Sequence, residues 1–219
     1  MLMKKLKVPL LTAINMASSI EQVSSSLDQL SKELIDIAAW PEYNYKPQVS
    51  FSIGHGGDCI FLKFYVTEDV VKASYYKPDD PVYKDSCVEF FISIDGEEQY
   101  YNLEFNTIGT CKLNFGKNRN ERQRIPEKLI KMIRFLATIQ NNTVSNSKGI
   151  KWELVLMIPI EVFSKHKIKS FSGIKCSGNF YKCGDDLPVP HFLCWNNIQS
   201  AEPDFHLQKY FGEIISCKC

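Results

Sequence analysis

The sequence predicts an all-β protein, an antiparallel β-sandwich of immunoglobulin-like or jelly-roll-like kind, with a helix near its N-terminus. Three observations carry that expectation. Asp85 to Asp95, DSCVEFFISID, alternates strictly, with Val88, Phe90, Ile92 and Ile94 on one side and Glu89, Phe91 and Ser93 on the other. The next apolar run, YYNLEFNTI from Tyr100 to Ile108, repeats the pattern after only DGEEQ, which reads as a hairpin. Further short alternating runs are separated by turn residues, without the regular strand and helix alternation of an α/β fold.

Taken in order, residues 1–39 read as an N-terminal extension with a helix and residues 40–219 as the sandwich, together one domain. Within Ser18 to Ile37, Ile20, Val23, Leu27, Leu30 and Leu34 recur at helical spacing, and Ser18 with Glu21 matches a capping box. That helix is expected to cover one end of the fold, with Trp40 as a packing anchor beneath it. Val49, Phe51 and Ile53 alternate, and Ile60, Leu62, Phe64 and Val66 follow the turn-like GHGGD. After the hairpin, Gly116 to Gly149 is polar and basic and contains EKLIKMIRFLATI, which fits strand or helix. Trp152, Leu154, Leu156 and Ile158 alternate before Pro159; Ile174, Cys176, Gly178 and Phe180 alternate later, and Gly212 to Ser216 is the last expected strand.

Composition narrows the function classes. The 219 residues are 44% hydrophobic, enough for a packed core without covalent staples. With 26 basic and 25 acidic residues the formal charge is +1, so neither nucleic acid nor an anionic membrane is favoured as partner, and a neutral ligand fits better. No run reaches the roughly 18 to 20 apolar residues of a membrane-spanning helix. The start MLMKKLKVPLLTAINMASS imitates a secretion signal, but Pro9 and Asn15 interrupt its apolar patch. The eight cysteines read as reduced thiols, which points to a cytoplasmic protein, with a periplasmic or secreted one as the alternative.

The candidate site begins on the hairpin. Pairing the two strands with apolar sides together leaves Glu89, Asn102, Glu104 and Asn106 on the other side, beside Phe91, a face suited to a polar ligand. PHFLCWNN brings His191, Trp195 and Asn196 together; an exposed Trp beside amides can stack on the apolar face of a sugar ring. Trp152, sharing a face with Leu154 and Leu156, reads as core. Cys176, Cys183, His191 and Cys194 are the inventory of a zinc site but lack paired CxxC spacing, so they are not expected to form one. Glu89 and Glu104 could imitate the carboxylate pair of a glycosidase. A face dense in Asn and Glu, however, is expected to leave their pKa values unraised and so to favour hydrogen bonding over catalysis. No GxSxG, HExxH, Walker or dinucleotide motif occurs.

Read together, the DSCVEFFISID strand, YYNLEFNTIGT, WELVLMIP, NFYKCGD from Asn179 to Asp185, HFLCW from His191 to Trp195 and PDFHLQKYFGEI from Pro203 to Ile214 resemble the family 9 carbohydrate-binding modules, and more closely the stand-alone family 9-like chains of gut Bacteroidetes. The resemblance runs from about Trp40 onward. It implies a β-sandwich that holds a sugar end between two aromatic rings, with an acid and amides nearby. By position it makes Trp195 the second aromatic, Tyr83 the first, Glu89 the acid, and Asn106 and Asn179 the amides, with Asn102, Glu104, Tyr181, His191 and Asn196 as additional candidates. No cofactor is expected; calcium enters by the resemblance alone. The family is often attached to xylanases, which makes xylan breakdown a natural setting.

The leading expectation is therefore non-catalytic binding of a mono- or oligosaccharide. A xylanase-like hydrolase or subunit using Glu89 and Glu104 is the alternative, and a structural or assembly module a third.

Overall fold

A computed structural model describes residues 3–141 and 149–218, and it contains two packed sheets. In chain order the strands are β1 (Lys5–Val8), β2 (Glu33–Leu34), β3 (Ile37–Ala38), β4 (Gln48–His55), β5 (Cys59–Glu68), β6 (Cys87–Ile94) and β7 (Tyr100–Asn106). They continue as β8 (Cys111–Gly116), β9 (Arg122–Arg124), β10 (Arg134–Asn141), β11 (Ile150–Pro159), β12 (Lys175–Cys183), β13 (Phe192–Cys194) and β14 (Gly212–Ser216). The helices are α1 (Ile20–Asp28) and the short α2 (Glu127–Ile130). No helix among the described residues is long and apolar enough to cross a membrane.

One sheet runs β1-β14-β12-β6-β7-β8-β9, with β13 beside the second half of β12 and β3 beside β13. The other runs β10-β11-β5-β4-β2. Among the described residues all strand pairings are antiparallel except β1 with β14, and an isolated parallel bridge joins Leu10 to His55. The main core lies between the sheets and contains the residues that alternation assigned to it: Val88, Phe90, Ile92, Ile94, Tyr101, Leu103 and Phe105 from the hairpin, facing Phe51, Leu62, Phe64, Leu154 and Leu156. Phe180 joins the layers by stacking on Phe51 at 3.7 Å and on Phe90 at 4.6 Å between ring centroids.

The helix is shorter than its periodicity suggests. Ser19, not Ser18, caps it, exchanging hydrogen bonds with Gln22 in a capping box. Beyond Asp28 the chain turns away, because Glu33 and Leu34 pair with β4 and Ile37 and Ala38 with β13, so tertiary pairing overrides local helical spacing. The helix does not close an end of the fold. Val23 and Leu27 pack on Phe61, Val155 and Met157, the outward side chains of the five-stranded sheet. Lys63 fixes this docking, with its Nζ 2.8 Å from both Asp28 and Glu153. Trp40 lies elsewhere, against Phe192 and Phe205 over the larger sheet, and its Nε1 donates to the Ser200 carbonyl at 3.1 Å.

The expected polar face of the hairpin exists but is roofed. Every residue of β6 and β7 is buried, because Phe91, Tyr100 and Tyr181 on the outer face need cover and loops bearing Trp40, Val82, Ile198, Phe205 and Phe211 provide it. This second apolar layer leaves an opening over Glu89 and Glu104.

Candidate functional site

The opening is a cavity of about 560 Å³, counted to its mouth. Its floor is formed by adjacent strands. Glu89 of β6 is directly opposite Glu104 of β7, and Cys183 ends β12 on the other side of β6. Its walls are Tyr83 from a single 3-10 turn at Val82–Lys84, Phe192 at the start of β13, and Phe205 and His206 from the PDFH loop. Arg119, Arg122, Asp185 and Asp204 complete the rim.

The floor is held by a short polar network. Glu89 Oε1 accepts from Cys183 Sγ at 3.2 Å, and Cys87 Sγ is 4.0 Å away. Glu104 Oε1 accepts from Asn102 Nδ2 at 2.6 Å and faces Arg122 Nη1 at 3.5 Å. Its other oxygen, Oε2, is buried with no partner among the described residues. Arg122 Nη1 also approaches His206 Nε2 at 3.4 Å, and His206 Nδ1 meets the Tyr100 hydroxyl at 2.9 Å.

This environment shifts the acids upward, contrary to the expectation from their polar company. Burial raises Glu89 well above the ordinary carboxylate range, and the charge of Glu104 adds to it. Burial lifts Glu104 to about 7 against the opposing pull of Arg122 and Lys112, and lifts Asp185 to about 6. His206 falls to about 3, through burial and then Arg122, so its imidazole is neutral at pH 7. The floor can therefore both donate and accept hydrogen bonds near neutrality, because it holds carboxylic acid as well as carboxylate.

The structure brings together three of the sequence candidates, Tyr83, Glu89 and Glu104, and takes the others elsewhere. Trp195 does not line the cavity. It is fully buried between the sheets, edge-on to Phe180 and Phe51, with Nε1 donating to Glu33 at 2.9 Å. The reason is strand parity: in HFLCW, Leu193 faces the core, so Trp195 does too, while Phe192 faces outward. Asn106 is spent on the Tyr75 carbonyl, Asp85 and the Thr110 amide, pinning the loop that carries Tyr83. Asn179 bonds both the amide and the carbonyl of Asn196. Asn196 holds Lys4 and Tyr210, and the Tyr181 hydroxyl donates to the Phe205 carbonyl. Asn102 touches the site only through Glu104.

His191 accepts from Lys182 Nζ at 2.8 Å, its pKa pressed to about 3 by burial and by that ammonium. Cys176 lies in the core and Cys194 donates to the Ile37 carbonyl, so the sequence's zinc inventory does not converge. The one group of three potential ligands among the described residues is Cys87, Glu89 and Cys183. Two sulfurs make it unsuited to calcium, which takes oxygen ligands. Sequence reasoning missed Arg119, Arg122, Asp185, Phe192, Phe205 and His206. Only Phe192 had a usable signal, its parity opposite Leu193.

A broader hollow of about 1050 Å³ lies over the edge of the five-stranded sheet near Lys32, Leu34 and Gln48. No buried carboxylate converges there, and Leu34 is 56% exposed, so it lacks the floor that marks the first cavity.

Comparison with known proteins agrees with this architecture. The family model for carbohydrate-binding family 9 matches residues 21–215. A crystal structure from Bacteroides uniformis ATCC 8492, described as that of a proposed carbohydrate-binding protein, is 34% identical, with a TM-score of 0.88 over 98% of this chain and 99% of that one. A family 9 module from Caldicellulosiruptor kristjanssonii in complex with cellotriose is similar at 13% identity and a TM-score of 0.58, over 99% of this chain and 95% of that one. The same description with glucose gives 13%, 0.59, 99% and 97%. At that identity the likeness is one of fold. No curated protein sequence matches the chain.

Proposed function

The chain belongs to carbohydrate-binding family 9, and from that premise we propose that it binds a mono- or oligosaccharide without altering it, in the cavity above Glu89 and Glu104. The observation that carries the reading is the pairing of a buried carboxyl floor with partly exposed aromatic walls at Tyr83 and Phe192. Rings cover the apolar face of a pyranose, and carboxyl groups discriminate among its hydroxyls. Tyr43 and Trp40 brace Phe192 edge-on, which keeps the wall in place before a ligand arrives. The crystallised complexes of the Caldicellulosiruptor module with glucose and cellotriose give the ligand class to try first.

The test is calorimetric titration with glucose, xylose and their β-1,4 oligomers, alongside forms whose reducing end has been reduced to the alditol. Saturable heat that disappears in a Phe192→Ala, Glu89→Gln double variant with an unchanged melting temperature supports the reading. No binding to any glycan on a broad array would end it.

A second reading, hydrolysis, is favoured by one observation: Glu104 is raised to about 7 beside another acid, as a general acid requires. Cleavage of a glycan that Glu104→Gln abolishes while binding persists would establish it in place of the first.

A further inference from the structure

Cys87 and Cys183 are directly opposite one another where β6 pairs with β12, and Glu89, two residues further along β6, lies on the same sheet face. The two sulfurs and a carboxylate oxygen all lie within 4.8 Å of one another. All three residues are buried, but Glu89 and Cys183 form part of the cavity lining, so the cluster has an entry path from solvent. A second observation points to an unfilled partner at the floor. Across from Glu89, Glu104 leaves Oε2 buried and unpartnered among the described residues, and the nearest cation to this acid is Arg122 at 3.5 Å from its other oxygen.

We propose that Cys87, Glu89 and Cys183 are ligands for a thiophilic divalent cation such as zinc, held at the cavity floor with its remaining coordination position facing the opening. The donor set is right for such an ion, two thiolates and a carboxylate, and wrong for calcium or magnesium. The geometry is close. Tetrahedral zinc with bonds of about 2.3 Å to sulfur and about 2.0 Å to oxygen places ligand atoms roughly 3.5 to 3.8 Å apart. The sulfur to oxygen distances here, 3.2 and 4.0 Å, bracket that separation. Binding replaces the two thiol protons and the proton held by Glu89, and all three leave to solvent as the metal–sulfur and metal–oxygen bonds form. No oxidation is involved. A bound dication would also favour the ionised forms of Glu89 and Glu104.

This inference stands apart from the sugar-binding reading, and the two fail separately, because metal is titrated with no sugar present. The experiment uses the full chain, reduced and freed of metal, titrated with Co(II) and then with Zn(II) against a chromophoric chelator. The expected result is one equivalent of cobalt with a near-ultraviolet sulfur-to-cobalt charge-transfer band that zinc then quenches. Cys87→Ala and Cys183→Ala should each weaken binding by more than about tenfold, a larger loss than is usual for an outer-shell change. Cys176→Ala, in the core, should leave it unchanged. Should the cysteine variants fold poorly, Glu89→Gln and the wild-type spectrum still decide the matter. Absence of the charge-transfer band in the reduced wild type overturns the proposal. So does metal binding unchanged in the Cys87 and Cys183 variants, or a Cys87–Cys183 disulfide in protein whose reduced form takes up no metal.

Discussion

Lys182 and Glu68 form an ion pair at 2.9 Å across the interface of the two sheets, with neither side chain accessible to solvent. Lys182 occupies a core-facing position of β12, and Glu68 the last core-facing position of β5. Trp152 donates to the other Glu68 oxygen at 2.6 Å, and His191 accepts from Lys182, so a four-residue polar cluster closes one end of an otherwise apolar layer.

Breaking this pair on one side should cost far more than replacing it whole. Lys182→Ala is expected to lower stability by about 3 to 5 kcal/mol, since it strands a buried carboxylate. Lys182→Met combined with Glu68→Gln should recover most of that loss, because the Gln carbonyl can still accept from Trp152. Urea denaturation midpoints of the two proteins check this; equal losses would show that the pair itself stabilises the fold.

Trp195 and Phe192 should separate fold from binding. Trp195→Ala is expected to cost about 3 to 5 kcal/mol of stability, as for other large buried rings. Phe192→Ala should leave the melting temperature nearly unchanged and weaken sugar binding by about 1 to 3 kcal/mol. Calorimetry paired with thermal unfolding distinguishes them, and a folded Trp195→Ala protein with lost affinity would return the site to Trp195.

The acidic floor makes a signed prediction about pH. Glu104 is raised from 4.5 to about 7, so between those values the folded state holds a proton that the unfolded state has lost. The stability contributed by that proton is complete below about pH 4.5 and is lost as pH rises through 7. Glu104→Gln removes this dependence. The variant should therefore gain stability relative to the wild type between pH 5 and about pH 8, read from denaturation at each pH; a constant difference would contradict the shift. His206, lowered to about 3, acts oppositely, losing stability as pH falls below 6.5, and it is common to both proteins.

Gly178 should tolerate no side chain. A Cβ there would lie 2.5 Å from the Phe91 carbonyl oxygen and 2.7 Å from Ile214 Cδ1, because β6 and β14 both close on β12 at this point. Gly178→Ala is expected to destabilise by about 1 to 3 kcal/mol through overpacking. A melting temperature equal to wild type would mean that the sheet opens there readily.

Much of the fold was legible because period-two alternation states which face of a strand is buried, and in β4 to β7, β11 and β12 it places the apolar side chains of the main core correctly. What it cannot state is whether the other face meets water or a second layer. Phe91, Tyr100 and Tyr181 hinted at a cover, but its loops have no periodic signal. The short strands β1, β2, β3, β8, β9 and β13 escaped for a related reason, since their pairing depends on distant partners rather than local pattern. Of the site, the strand-borne acids Glu89 and Glu104 were readable. Arg119 and His206 come from irregular segments and Arg122 from the three-residue edge strand β9, and only the completed sheet brings them over the floor.

The parallel pairing of β1 with β14 joins Lys5 to Glu213 and Val8 to Ser216, positions separated by almost the whole chain. Ring closure on that scale carries a large entropic cost with little local compensation, so this edge is expected to assemble after the hairpin and the β12 to β6 pairing have formed. Until it does, β14 presents an unpaired row of amides and carbonyls beside the exposed end of the core. The interval before β1 docks is therefore when neighbouring molecules are most able to pair with one another, and crowding of partly folded chains should reduce the yield of native protein more than any weakness of the finished sandwich.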